Sequence, residues 1–237
     1  MSKKILTAPF FEIGPKSYLY GDDVLNLALA ADAAAEKYRV NILFTSPLVE
    51  LRRVAERTKN LFVLAPHMDP LPPGRGLTET LPESLVAAGA AGVMLNHIER
   101  PVSLDTLEQT LRRADELGLL TVVCTGTIEQ AKAAACLRPD VVVAEPSALI
   151  GTGKTSDMGF VRASIEAVKS VNPNILVLQG AGISNGEDVY KVIFAGADAT
   201  GSSSGVVKAQ DRRAMVEEMI SAVRQAWDDR QKQQQSM

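Results

Sequence analysis

Three ionisable side chains stand just past short apolar runs, and together they could move a proton. Glu145 follows Val141-Val142-Val143-Ala144, His97 follows Gly92-Val93-Met94-Leu95-Asn96, and Lys16 lies shortly beyond the apolar stretch Ile5 to Ile13. A β-branched run that ends abruptly in an acid reads as a strand buried on both faces, with the acid at its carboxyl end. Parallel α/β sheets keep their chemistry at that end. Pro146 and a glycine-rich loop that includes Gly151 come next, and the small-residue loops Gly180-Ala181-Gly182-Ile183-Ser184 and Gly201-Ser202-Ser203-Ser204-Gly205 follow later apolar runs. Such loops bring backbone N–H groups close to an anion or move as lids. An acid, an imidazole and an ammonium beside an anion site point to proton abstraction next to a carbonyl in a small phosphorylated substrate. Glu145 is then the base, His97 polarises the carbonyl, and Lys16 offsets negative charge on substrate and enediolate.

Each of these residues also has a plainer reading. An acid after a strand is more often exposed or ion-paired, a lone histidine proves little, and a lysine is by default a surface residue. What tips the balance is company: Pro146 and the glycine loop after Glu145, and Asn96, Glu99 and Arg100 around His97. Gly153-Lys154-Thr155 matches the end of a P-loop, but position 148, where the first glycine is needed, is Ala148, which argues against a nucleotide site. His67 and Asp69 are too few for a zinc site and read as loop structure. No metal or cofactor is expected.

The elements that must position these groups alternate regularly. Strand-like runs are read at residues 5–13, 41–45, 61–65, 92–96, 120–124, 140–144, 175–179 and 197–200, with helical segments between them. Ser46-Pro47 reads as a helix start, serine capping and proline at the first position. Thr127-Ile128-Glu129-Gln130 fits a capping box, and Gly118 fits the glycine after a helix that starts near Ser103. The last helix is placed from Asp211 to about Asp229, with a polar, frayed tail over 230–237. One strand and one helix recur roughly every 30 residues, which implies a parallel sheet with right-handed crossovers. Eight such units make an α/β fold of the (β/α)8 barrel type, a single domain over 1–237; an open doubly wound sheet is the alternative.

Composition narrows the classes further. Of 237 residues 46% are apolar, enough for a large core, yet no apolar run approaches the roughly 18 residues of a membrane span. Net charge is −3 with acids and bases interleaved, so no basic nucleic-acid stripe is present. The two cysteines, Cys124 and Cys136, lack metal-type spacing and read as reduced thiols in a cytoplasmic protein. Neither nucleic acid nor membrane is an expected partner.

The quoted segments resemble a known family. Asn96-His97-Ile98-Glu99-Arg100, Glu145-Pro146 through Ile150-Gly151-Thr152-Gly153-Lys154-Thr155, and Gly180-Ala181-Gly182-Ile183-Ser184 are similar to triosephosphate isomerases in their short, archaeal-like form. The likeness runs from Lys16-Ser17-Tyr18 to Lys208-Ala209, and the spacing from Glu145 to Gly151 is its strongest part. It implies a TIM barrel and a cofactor-independent aldose–ketose isomerase of a small phosphorylated sugar, with glyceraldehyde 3-phosphate and dihydroxyacetone phosphate as the family's pair. A place in carbohydrate metabolism (glycolysis and gluconeogenesis) and a homodimer or homotetramer follow from the same likeness. By resemblance Gly151, Gly182, Ser184, Ser204 and Gly205 hold phosphate, largely through backbone N–H groups, while Asn96 and Glu99 support the histidine. The chain departs from the family pattern at three places: Gly14 stands where asparagine is usual, Ile98 where serine is usual, and the third loop reads Arg75-Gly76-Leu77-Thr78-Glu79. Those departures leave open the same mechanism on another substrate, such as a tetrulose phosphate, or a non-catalytic phosphosugar-binding barrel.

Overall fold

A computed structural model describes residues 3–149 and 156–236. Its eight strands are β1 Phe10–Ile13, β2 Asn41–Thr45, β3 Leu61–Ala65, β4 Gly92–Leu95, β5 Leu120–Thr125, β6 Val141–Ala144, β7 Leu176–Gln179 and β8 Ala199–Ser202. Each pairs in parallel with the next, and β8 closes on β1 with Phe10 opposite Ala199 and Ile13 opposite Ser202. The expected (β/α)8 barrel is therefore the observed fold. Around it lie α1 Asp22–Tyr38, α2 Leu51–Arg57, α3 Pro82–Ala87, α4 Leu104–Glu116, α5 Ile128–Cys136, α6 Met158–Lys169, α7 Gly186–Phe194, α8 Ser204–Val207 and α9 Arg212–Gln235.

Strand side chains alternate in direction, so a barrel has two cores. Phe11, Ile13, Ile42, Phe44, Val93 and Val123 point outward and pack under the helices. Phe10, Leu43, Leu64, Val122, Val143 and Leu178 point inward and fill the cylinder. Counting in steps of two from Phe10, Val122, Leu178 and Ala199 brings Gly14, Gly126, Gly180 and Gly201 to inward positions near the carboxyl rim. With no side chains there, the packed interior gives way to a pocket above its apolar floor. Gly180 has a specific reason: a Cβ there would stand 3.0 Å from Cβ and Cδ of Glu145.

Local chemistry explains where the elements depart from expectation. β1 starts at Phe10, because Pro9 has no N–H to give the ladder. Ser46-Pro47 does not open a helix: Pro47 is extended (ψ 140), a 3₁₀ turn Leu48–Glu50 follows, and Ser46 Oγ donates to the Pro47 carbonyl at 3.1 Å. The capping site at Thr127 is present, its Oγ1 accepting from the Gln130 N–H at 3.2 Å. The return bond of the box goes one residue further, from Gly126 N–H to Gln130 Oε1 at 2.8 Å. Ser103 caps α4 through the Thr106 N–H, and Gly118 takes the left-handed conformation (φ 69) expected of it. β8 ends at Ser202, two residues later than the hydrophobic pattern suggests, and the four-residue α8 follows at once.

The C-terminus is more ordered than its polar composition implies. α9 runs to Gln235 and packs on α7 and α1. Arg230 locks it: the guanidinium lies 4.2 Å over the Trp227 ring and donates to the carbonyls of Ile193 (2.7 Å) and Ala197 (2.8 Å). Helix propensity alone would have let this segment fray, whereas two buried carbonyls need this donor. Arg230→Ala is expected to lower the unfolding free energy by about 2–3 kcal/mol, from two acceptors left unpaired and lost packing over Trp227, as read from urea denaturation.

Candidate active site

Lys16 follows β1 by three residues and adopts the left-handed backbone region (φ 48), uncommon for a side chain of its size. Its ammonium thereby reaches across to the end of β4, where Nζ lies 3.3 Å from His97 Nε2 and 3.3 Å from Glu99 Oε1. His97 is presented by Asn96, itself left-handed (φ 58), a conformation asparagine tolerates. Asn96 Nδ2 donates to the Cys124 carbonyl at 3.0 Å, and Asn96 Oδ1 accepts from the Val102 N–H at 3.2 Å. This side chain therefore ties β4 to β5 and to the approach of α4. The Glu99 N–H donates to His97 Nδ1 at 3.2 Å. With Nδ1 accepting, the neutral ring carries its proton on Nε2, facing Lys16. Burial and then the neighbouring ammonium push the imidazole pKa below its usual value, so the ring is neutral near pH 7. Imidazole and ammonium both present N–H donors to the same space, which suits one carbonyl oxygen.

Glu145 ends β6, its own N–H donating to the Thr125 carbonyl at 2.9 Å. Glu145 and His97 line one cavity of about 410 Å³, together with Asn96, Cys124 and Gly126. Burial raises the pKa of Glu145 above the ordinary carboxylate range; Lys16 and the backbone of left-handed Ala181 (φ 72) pull it part of the way back. A poorly solvated carboxylate of raised pKa is a better proton acceptor than an exposed one. Cys124 sits at the cavity wall, buried and with its thiol pushed up by burial, which suits packing.

The expected phosphate residues fall on two adjoining loops. Gly205 is required where it is, since a Cβ would come within 2.5 Å of the Ile183 carbonyl and 3.0 Å of Ser184 Cα. Close approach of the β7 and β8 loops thus depends on it. Ser203 O accepts from Val206 and Val207, and among the described residues nothing accepts from the N–H of Ser204 or Gly205. Gly182 is left-handed (φ 72), and its carbonyl accepts from Ser184 Oγ at 3.1 Å. The Ser184 N–H is taken by Asp188 Oδ2 at 3.0 Å and its hydroxyl proton by the Gly182 carbonyl, so both of its donors are engaged. Gly151 and the rest of its loop, 150–155, lie outside the described residues. His67 and Asp69 pair with each other (3.0 Å) and Asp69 also accepts from the Thr80 N–H (2.7 Å), pinning the third loop. Among the described residues no group of three or more potential metal ligands occurs.

One site residue escapes the sequence reading altogether. Glu12 sits inside the barrel on β1, where alternation calls for an apolar side chain, and Thr45 Oγ1 donates to its Oε1 at 2.6 Å. Burial, reinforced by Glu145, raises its pKa to about 7, with the Thr45 hydrogen bond and Lys16 acting against the shift. A lone acid within an apolar run, Phe10-Phe11-Glu12-Ile13, was the available signal.

The chain is thus a closed parallel (β/α)8 barrel with a desolvated carboxylate, a neutral imidazole and an ammonium at its carboxyl rim, groups suited to proton transfer beside a carbonyl. Comparison with known proteins carries this to a family. The family model described as triosephosphate isomerase matches residues 16–223. The triosephosphate isomerase of Methanobacterium bryantii is 36% identical over 225 residues, covering 93% of this chain and 99% of that protein. That of Methanothermus fervidus is 37% identical over 204 residues (85% and 91%), and that of Saccharolobus solfataricus 33% over 222 residues (92% and 97%). The chain belongs to the triosephosphate isomerase family, and it is an aldose–ketose isomerase acting on phosphosugars.

Glu12 makes stability depend on pH. Its folded pKa is raised, so the folded state holds a proton that the unfolded chain releases as pH climbs from about 4.5 toward 7. The contribution is therefore most favourable below that window and is lost as pH rises through it. Glu12→Gln, which never ionises, should unfold at higher urea than the parent at about pH 8, by on the order of 3 kcal/mol, and not at about pH 4.

Proposed function

We propose that this chain interconverts dihydroxyacetone phosphate and glyceraldehyde 3-phosphate through an enediolate, with Glu145, His97 and Lys16 as its catalytic groups. The observation that carries the reading is the contact of His97 Nε2 with Lys16 Nζ at 3.3 Å while Nδ1 is held by the Glu99 N–H. Both donors then meet on the substrate carbonyl oxygen. Glu145 takes a proton from C1 of the ketose. The C–H electron pair becomes the C1=C2 bond, and negative charge passes to the carbonyl oxygen between Lys16 and the Nε2–H. The Nε2–H of His97 gives its proton to O2 and Nε2 takes the proton of O1, while Glu145 returns its proton to C2; the aldose is complete, His97 and Glu145 are restored, and no atom is gained or lost. Phosphate is assigned to Gly151, Gly182, Ser184, Ser204 and Gly205, with the N–H groups of Ser204 and Gly205 as donors that no described residue occupies. Asn96 and Glu99 hold the imidazole in place.

The same reading includes self-association in the cytoplasm. Leu77, Val49 and Tyr20 are 97%, 90% and 84% exposed on loops of the carboxyl face, apolar surface that a second copy would cover. The two cysteines are free thiols, as a reducing compartment would keep them.

Glu145→Gln should reduce kcat by on the order of 10³ in a coupled assay with triose phosphates, and Glu145→Asp, which retracts the carboxylate by one methylene, by about 10²–10³. Turnover at the parental rate in either variant removes Glu145 from the mechanism. Because Glu145 must be ionised and its pKa is raised, kcat/KM should fall on acidification already above the ordinary carboxylate range. A flat profile from about pH 4 to 9 contradicts the assignment.

A further inference from the structure

Among the described residues, Glu12 is an ionisable group of the barrel interior that the proposed mechanism does not use. It lies two residues above Phe10 on β1; Phe10, Ala199 opposite Phe10 on β8 and Leu43 opposite Glu12 on β2 are all wholly buried. That apolar layer seals it from the amino end of the barrel, and Glu12 nevertheless retains some accessible surface. Its open side is therefore the carboxyl rim, where substrate enters. Among the described residues no lysine, arginine or histidine lies within ion-pairing distance of its carboxylate; Thr45 satisfies one oxygen. The surroundings are cut to fit it. A Cβ at Gly14 would stand 3.0 Å from Oε1, and one at Gly201 would stand 2.9 Å from the Glu12 Cβ and 3.2 Å from Oε2. The carboxyl fills the space that a side chain at position 14 would take at the end of the same strand.

We propose that Glu12 is a substrate-binding residue, its carboxyl reaching from the pocket floor to hydrogen-bond an oxygen on the carbon chain of the sugar phosphate, away from the phosphate itself. This deepens the isomerase reading and rests on it for the identity of the ligand. Three observations converge. The group stands on the inward face of β1 two residues above Phe10, at the rim end that carries Lys16 and Glu145, both close enough to act on its charge. Two glycines keep its place clear. Burying a carboxyl with a single hydroxyl partner is unfavourable unless a further polar group completes its shell. Near neutrality such a carboxyl both accepts from a hydroxyl and, protonated, donates to a carbonyl.

Calorimetric titration with glycerol phosphate, an unreactive polyol phosphate, and with inorganic phosphate as control tests the proposal on the full chain. Glu12→Val should weaken glycerol phosphate about tenfold, the worth of one hydrogen bond to a buried group, and leave inorganic phosphate within about twofold. Gly14→Ala, whose new methyl pushes the carboxyl aside, should produce a similar loss. The double variant should be no weaker than Glu12→Val, because both changes remove one interaction. Gly14→Ala leaves Glu12 itself unchanged and provides the decision should the valine variant not fold. If Gly14→Ala binds glycerol phosphate as tightly as the parent, or loses both ligands equally, the proposal is overturned. Turnover is read separately: a parent that binds glycerol phosphate but fails to isomerise triose phosphates refutes the triose-phosphate reading and leaves the Glu12 comparison decisive.

Discussion

Two hydrogen-bond donors pressed toward one point organise this molecule. Lys16 Nζ and the Nε2–H of His97 meet at 3.3 Å, a contact that an acceptor oxygen bonded to both relieves. Several unrelated features exist to hold it. Lys16 bends into the left-handed region, Asn96 does the same past the end of β4, and the Glu99 N–H occupies Nδ1 so that the ring cannot turn its acceptor toward the ammonium. The Lys16–Glu99 ion pair is largely exposed on the glutamate side and contributes little stability, but it limits where the lysine can point. Strain and repulsion tolerated at one point, where the surrounding hydrogen bonds over-determine the geometry, mark a site prepared for an oxygen that arrives with its own charge.

The closed barrel supplies the second condition, a place where water is scarce. Inward side chains on eight strands converge, and the lower layers pack completely through Phe10, Leu43, Val122 and Val143. The same convergence would plug the carboxyl end as well, were it not for Gly14, Gly126 and Gly180 at the inward positions there. Polar groups that border this space are poorly hydrated, and that is the leading cause of the shifts at Glu145, Glu12 and His97. Packing and acid–base chemistry are thus one problem. The glycines that open the pocket also place its acids in low-dielectric surroundings.

Much of this was legible in the residues themselves. Runs such as Val141–Ala144 and Asn41–Thr45 carry their strand identity in β-branched and aromatic side chains, and Ser103, Thr127 and Gly118 announce their helix ends by local hydrogen-bond chemistry. Lys16 and His97, both picked out by their place after a strand, do meet, and Glu145 shares its cavity with His97. What failed were features set by distant partners. Nothing near residue 230 says that Arg230 will find the carbonyls of Ile193 and Ala197, so a Gln-rich stretch looked frayed while it is in fact helix. Ser46-Pro47 has the composition of a helix start, but its serine bonds the Pro47 carbonyl instead. Glu12 was invisible for a different reason. The period-2 rule reports only which face a residue takes, and an acid on the inward face makes sense only once Gly14 and Gly201, from two strands far apart in sequence, are seen to make room for it.

The charge balance of the rim explains why Glu12 can be tolerated there at all. Glu12, Glu99 and Glu145 surround a single described ammonium, Lys16, and the incoming substrate adds a phosphate dianion. Were all three acids ionised, binding would set that dianion against an excess of negative charge with little water to screen it. The acids are separated by environment instead. Glu99 is mostly exposed and faces solvent and lysine, so its charge is screened. Glu145 is held down by Lys16 and the Ala181 backbone despite its burial, which keeps the ionised form within reach. Glu12 has only the Thr45 hydrogen bond and a weaker pull from Lys16, and burial, to which Glu145 adds, keeps it protonated up to about pH 7. One buried acid is left to take protons and the other to share one, and the difference between them comes from which neighbours each strand end provides.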